Sequence, residues 1–177
     1  MLRKKKIDWK DEGEIAAAHI KLAAAKLCEQ IYENDKEIVK DQIACLEILT
    51  FASALYFIVA DREAFNYLNE KERSVFDNTI LNEIVTGLSD LWTEPDKIRP
   101  TVGGQLNKYI AKLAPFSERL YAEEKGGNPK GTLYWEFSKI LDKEHGVETV
   151  AALSANWQAT IIGTDVRVEL QKLLPKK

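Results

Sequence analysis

Apolar side chains recur every three or four positions along most of the chain, and almost nowhere every second position. A spacing near 3.6 gathers such residues on one side of an α-helix, whereas a half-buried strand needs strict alternation. The stretch DVRVEL, residues 165–170, comes nearest to alternation, but ELQKLL then returns to helical spacing. The pattern therefore predicts an all-α protein, a single-domain bundle of about six helices.

Helix one is predicted from about Asp11, where Asp11 and Glu14 have the spacing of a capping box, to about Asn34. Asn34 and Glu37 repeat that spacing. The first connection should thus be very short, and the first two helices should form an antiparallel hairpin. Helix two carries Ile38, Ile43, Leu46, Leu49 and Phe51 on to Val59. Run unbroken from Asn34 to Leu68, it would be about 50 Å long at 1.5 Å per residue, so a bend or break is expected near Asp61. Asn69 and Glu72 offer a third capping box, ahead of Phe76, Ile80, Ile84, Leu88 and Leu91. The prolines and glycines of TEPDKIRPTVGG, residues 93–104, predict a loop.

Helix four is expected over about 105–124, kinked at Pro115. KGGNPKG, residues 125–131, reads as the most flexible stretch, with Asn128 and Pro129 suited to open helix five. That helix should end at Gly146. Helix six should start near Glu148, with Gly163 as a possible interruption.

QIACLEILTFASALYFIVA, residues 42–60, holds one charge, Glu47, and approaches the length of a membrane span. Glu47, the polar Gln42, Thr50 and Ser53, and acids at both flanks favour the central helix of a bundle, apolar all round because neighbours enclose it. No membrane span is expected.

Composition adds restraint. The chain has 177 residues, 45% hydrophobic and 30% charged, which fits one globular domain without staples. Its net charge of −3 gives no overall basic face, so no nucleic-acid partner is expected. Charge is uneven, however. Residues 1–10 form a basic N-terminal segment ahead of the all-α domain at 11–177, and residues 61–96 are acid-rich. Lys4 to Lys6 could meet that acidic stretch on another copy. Cys28 and Cys45 lie in apolar helical patterns without CxxC spacing. They fit buried free thiols and a reducing, cytoplasmic setting.

Candidate chemistry is sparse. Counted from Asp61, the acids Asp61, Glu63 and Glu72 fall at the first, third and twelfth places of a calcium-binding EF-hand loop, with Asn69 at the ninth. Phe65 stands at the fifth place, which needs an oxygen, and Asn66 at the sixth, which needs glycine. The spacing is therefore set aside as accidental, and no metal or cofactor is expected. A di-metal carboxylate bundle needs two Glu-x-x-His pairs, and Asp142-x-x-His145 is the nearest approach. His19 and Cys28 share a helix but sit about 13 Å apart along it, too far to act together. No nucleophile elbow, phosphate loop or zinc-protease motif occurs.

Two functional expectations follow. The first is a non-enzymatic protein-interaction or regulatory module that self-associates as a homodimer or binds another protein, with the aromatics Trp135 and Trp157 in the interface. The second is a small-molecule site inside the bundle, binding or catalytic, with Glu47 as its polar anchor beside Tyr56 and Trp135.

Overall fold

The computed structural model describes residues 7–35, 42–120, 129–147 and 149–175. Among them are six α-helices and no strand: α1 (Trp9–Asn34), α2 (Gln42–Tyr67), α3 (Glu70–Ser89), α4 (Pro95–Leu113), α5 (Leu133–His145) and α6 (Thr149–Leu173). The predicted all-α bundle is what the chain forms.

The centre is α2. Every residue from Thr50 to Ala60 is buried. The helix touches each of the other five. It is the one helix among the described residues long and apolar enough to cross a membrane, and the other helices cover it. Its buried hydroxyls are satisfied within the helix: Thr50 donates to the Leu46 carbonyl at 2.7 Å and Ser53 to that of Leu49 at 2.8 Å. The expected break at Asp61 does not occur. The described helix starts at Gln42, which makes it about 39 Å long and lets it cross the globule uninterrupted. Residues 36–41, where the second capping box and the short connection were expected, lie outside the described residues.

Alanines let α1 come close. Ala16, Ala17, Ala23 and Ala24 are buried against α2, α3 and α6. At Gly13 a methyl group would sit 2.8 Å from Thr79 Cβ and 3.0 Å from the Phe76 carbonyl, so α1 and α3 meet there almost backbone to side chain. The cap of α1 is Asp8, which accepts from the Lys10 amide at 3.0 Å, rather than Asp11. The predicted capping box at Asn69 and Glu72 is present in full and opens α3.

The largest departure from the sequence pattern is α4. It begins at Pro95, inside the stretch expected to be a loop. Proline suits the first helical position because no amide is needed there. Pro100 also lies in this helix. It is exposed, so the carbonyl it leaves unbonded, four residues back, is on the solvent side. Pro115 does not kink a longer helix. It falls in a 3-10 turn over Ala114–Phe116 that follows the end of α4 at Leu113. Of KGGNPKG, only residues 129–131 are described. Thr132, not Asn128, caps α5, accepting from the Trp135 amide at 3.4 Å. Gly146 takes the left-handed conformation that ends α5, with φ of 66°.

Gly163 does not interrupt α6. It is a notch. A methyl group there would lie 1.9 Å from the hydroxyl of Tyr134 on α5 and 2.8 Å from the ring carbon bearing it. Alanine normally favours a helix over glycine by about 1 kcal/mol. Here the overlap should reverse the sign, and Gly163→Ala should destabilise the fold by about 1–3 kcal/mol. In a Tyr134→Phe background the hydroxyl is gone and the cost should shrink. Urea unfolding of the four proteins tests this. An equal penalty in both backgrounds would mean that the notch does not seat the tyrosine.

Candidate functional site

The residues with EF-hand spacing are dispersed by the fold. Glu63 points into the bundle, 3% exposed, and accepts from Arg167 Nε at 2.6 Å and Gln171 Nε2 at 3.2 Å, both on α6. Asn69 and Glu72 bond each other's backbone as the cap of α3. Asp61 turns to α3, accepting from Arg73 Nε at 2.7 Å. Because Asp61 and Glu63 lie in a continuous helix, two positions apart, they face different neighbours.

Asp61 belongs to a cluster that the sequence pattern does not reveal. Asp77 lies within hydrogen-bonding reach of Asp61, and its other oxygen is 3.4 Å from Arg73 Nε. Burial pushes the Asp77 carboxyl up to about 7, Asp61 adds to the rise, and Arg73 opposes it. Asp77 Oδ1 is buried and has no donor from elsewhere in the protein. When Asp77 is protonated its hydroxyl can donate to Asp61, and the two carboxyls, one proton and one guanidinium then form a neutral set. Beside it is an open recess of about 380 Å³ lined by Asp61, Arg62, Phe65, Arg73, Ser117 and Glu118. Arg73 stacks over the Phe65 ring, 5.1 Å from its centroid, and Arg62 donates to the Ser117 carbonyl. The recess offers no thiol and no imidazole.

Glu47 is exposed at the rim of a different feature, an apolar groove of about 200 Å³ between α2, α3 and α4. Leu46, Leu88, Trp92, Ile98 and Val102 form its walls, with Gln105 beside them. The Trp92 indole N–H is buried without an acceptor. Near this end of the bundle Phe51 stacks on Phe137 at 4.5 Å and on His145 at 5.5 Å, and Tyr109 tilts against His145 at 5.7 Å. Burial lowers the His145 pKa, against the pull of Glu47 and Glu144, so the ring is neutral at pH 7. Asp142 takes no part: its Oδ2 accepts from Thr149 at 3.3 Å.

Tyr56 and Trp135 do not join Glu47 in this groove. Tyr56 is fully enclosed, with its hydroxyl unbonded and its pKa raised by burial, then by Tyr134 and Cys28. Trp135 is half-buried on α5. Cys28 and Cys45 are free and partly buried. Burial raises the Cys28 pKa, and Cys45 adds to the rise, so Cys28 stays a thiol rather than a nucleophilic thiolate.

Trp157 lies elsewhere again, 68% exposed on the outer face of α6. It has company. Val150, Leu153, Ile161 and Val168 are also exposed, from 45% to 78%. At 100° per residue these five fall within about 40° of the Trp157 direction. The buried row of α6, Ala152, Ala155, Ala159, Ile162 and Val166 among others, is on the opposite side. The helix is thus apolar on both faces, one packed and one open. Leu22 of α1, 68% exposed, borders a shallow groove between α1 and α6 and extends the open face.

Comparison of the chain with family models, with curated proteins and with solved structures finds no match in any of the three.

Proposed function

We propose that the protein is a non-enzymatic, self-associating interaction module, regulatory in that it acts by binding. The supporting observation is the outer face of α6, where an exposed tryptophan stands with Val150, Leu153 and Ile161 in an apolar row about 16 Å long, and Thr164 comes between that row and Val168. Contiguous apolar surface of this kind marks a contact site, and tryptophan at its middle is a typical anchor. Lys172 is paired with Glu169 and Arg167 with Glu63, which favours a protein partner over an anionic surface. Deuterium exchange with light scattering on the full chain tests the reading. Particles heavier than 20.1 kDa, with amides of 150–168 more slowly exchanging as concentration rises, are expected. A constant monomer with no such change would overturn it.

A second reading rests on the groove at Glu47. A carboxylate at the mouth, apolar walls and the unbonded Trp92 N–H suit a small apolar amine with a hydrogen-bond acceptor. An alkylamine bearing an ether oxygen should then raise the melting temperature by a few degrees at millimolar concentration. The shift should vanish in Glu47→Gln. No shift in the native protein removes this reading.

A further inference from the structure

We infer that an ammonium group bound at Glu47 and a proton on His145 oppose one another, so that the groove between α2, α3 and α4 holds an amine while His145 is neutral and loosens its hold as the solution is acidified. The inference rests on the second reading above, an apolar groove with a carboxylate at its mouth, and adds the regulation of that site.

Helical spacing brings the groove and the histidine together. Glu47 comes one turn before Phe51 on α2, and Gln105 one turn before Tyr109 on α4, so each pair stands on one face of its helix. Glu47 and Gln105 line the groove. The rings of Phe51 and Tyr109 meet at 4.8 Å between centroids, and His145, at the end of α5, lies against both. One turn of each helix therefore joins the groove to the imidazole. Gln105 also bonds the Tyr109 side chain, which ties the groove wall to the ring that tilts against His145.

Charge makes the connection a coupling. His145 Nε2 is buried without a partner, so no hydrogen bond there steadies an imidazolium. Its proton depends instead on the fields of its neighbours. Burial lowers the His145 pKa, Glu47 from α2 and Glu144 from α5 raise it, and Lys112 and Lys108 from α4 lower it. Tyr109, also on α4, is kept a neutral phenol by burial. Glu144 is already paired with Lys112. Glu47 is exposed at the groove mouth, and its charge is the one that a ligand can cancel. An ammonium there removes the attraction that favours the imidazolium. An imidazolium, in turn, repels the ammonium. Linkage makes the two effects equal. The amine is therefore held most tightly above the His145 pKa, and its affinity falls as pH drops through that value.

Proton NMR of the imidazole resonances tests this in the full chain, with butoxypropylamine as the probe. The chain has two histidines, and His19, in the shallow groove between α1 and α6, is the internal control. Saturating amine should move the His145 titration midpoint down by about half a pH unit, about threefold in proton affinity, and leave that of His19 in place. Butoxypropanol, which has the same chain without the charge, should move neither. By the same linkage the amine dissociation constant should be about two to three times higher at pH 5 than at pH 7 in the native protein, and His145→Gln should lose most of that difference. Amine that binds while the His145 midpoint stays put overturns the inference and leaves the groove reading standing. An equal movement with butoxypropanol also overturns it, because burial by the ligand and not its charge would then be the cause. No binding of the amine at either pH overturns both.

Discussion

Replacing Glu63 with alanine should cost about 3–4 kcal/mol, the largest loss expected from a single polar truncation in this protein. The carboxylate is 3% exposed and receives Arg167 and Gln171 from α6. It joins the central helix to the helix that carries the open apolar row. Removing it leaves the guanidinium of Arg167, 28% exposed, without the negative charge at 2.6 Å. The partly buried guanidinium can recover only part of that from bulk water. For a domain of this size such a loss lowers the melting temperature by about 10 °C. Glu63→Gln keeps an acceptor and the volume and should lose about half as much. Thermal unfolding at pH 7 checks both. A melting point within 2 °C of native for Glu63→Ala would show that the pair contributes nothing net, its attraction cancelled by the cost of burying it.

The second large effect is a pH dependence set by Asp77. Its folded pKa, raised to about 7 from an ordinary 3.8, means that the folded protein holds a proton that the unfolded chain gives up between those values. This contribution is therefore fully present below about pH 4. It is lost as pH rises through 4 to 7. A shift of that size corresponds to a ceiling of about 4 kcal/mol. Partial exposure and the guanidinium of Arg73, 33% exposed itself, bring the expected change down to about 2 kcal/mol. The groups facing Asp77 are Asp61 from α2 and Arg73 from its own helix, and no other titratable side chain is a main cause of the shift. Asp77→Asn mimics the protonated acid: its amide can donate to Asp61 and its oxygen can accept from Arg73. The variant should be about 1–2 kcal/mol more stable than native at pH 8 and should lose most of the slope between pH 4 and 8. Urea titrations across that range decide the matter. A variant less stable than native at pH 8, with the slope intact, would show that the carboxyls do not share a proton.

Local rules were legible in the sequence where one helix settled its own fate. The cap at Asn69 and Glu72, the stop at Gly146 and the buried row Phe76, Ile80, Ile84 and Leu88 follow from spacing within a single turn or face. What failed was punctuation. Pro95 and Pro100 read as breakers, but the first helical turn needs no amide from Pro95, and Pro100 faces solvent. Gly163 read as a gap because its partner, Tyr134, lies 29 positions away in the chain. The Asp61–Arg73–Asp77 cluster was hidden for a related reason. An acidic region with an arginine looks like a solvated face until α2 and α3 are folded against each other. In α6 the spacing picks out Val150, Leu153, Trp157 and Ile161 as one apolar row, but not that this row faces outward while Ala152, Ala155, Ala159, Ile162 and Val166 pack inward. Glu47, Tyr56 and Trp135 were grouped from neighbouring helices, and the fold sends them to three different surroundings.

The central position of α2 has a consequence for the time the protein spends open. Its residues from Thr50 to Ala60 are enclosed by five helices, and none of these can leave without uncovering part of it. Peripheral helices can fray or detach in partial excursions, yet the amides of this segment exchange with solvent only when nearly the whole bundle comes apart. Their exchange rate is therefore a direct gauge of the global unfolding equilibrium.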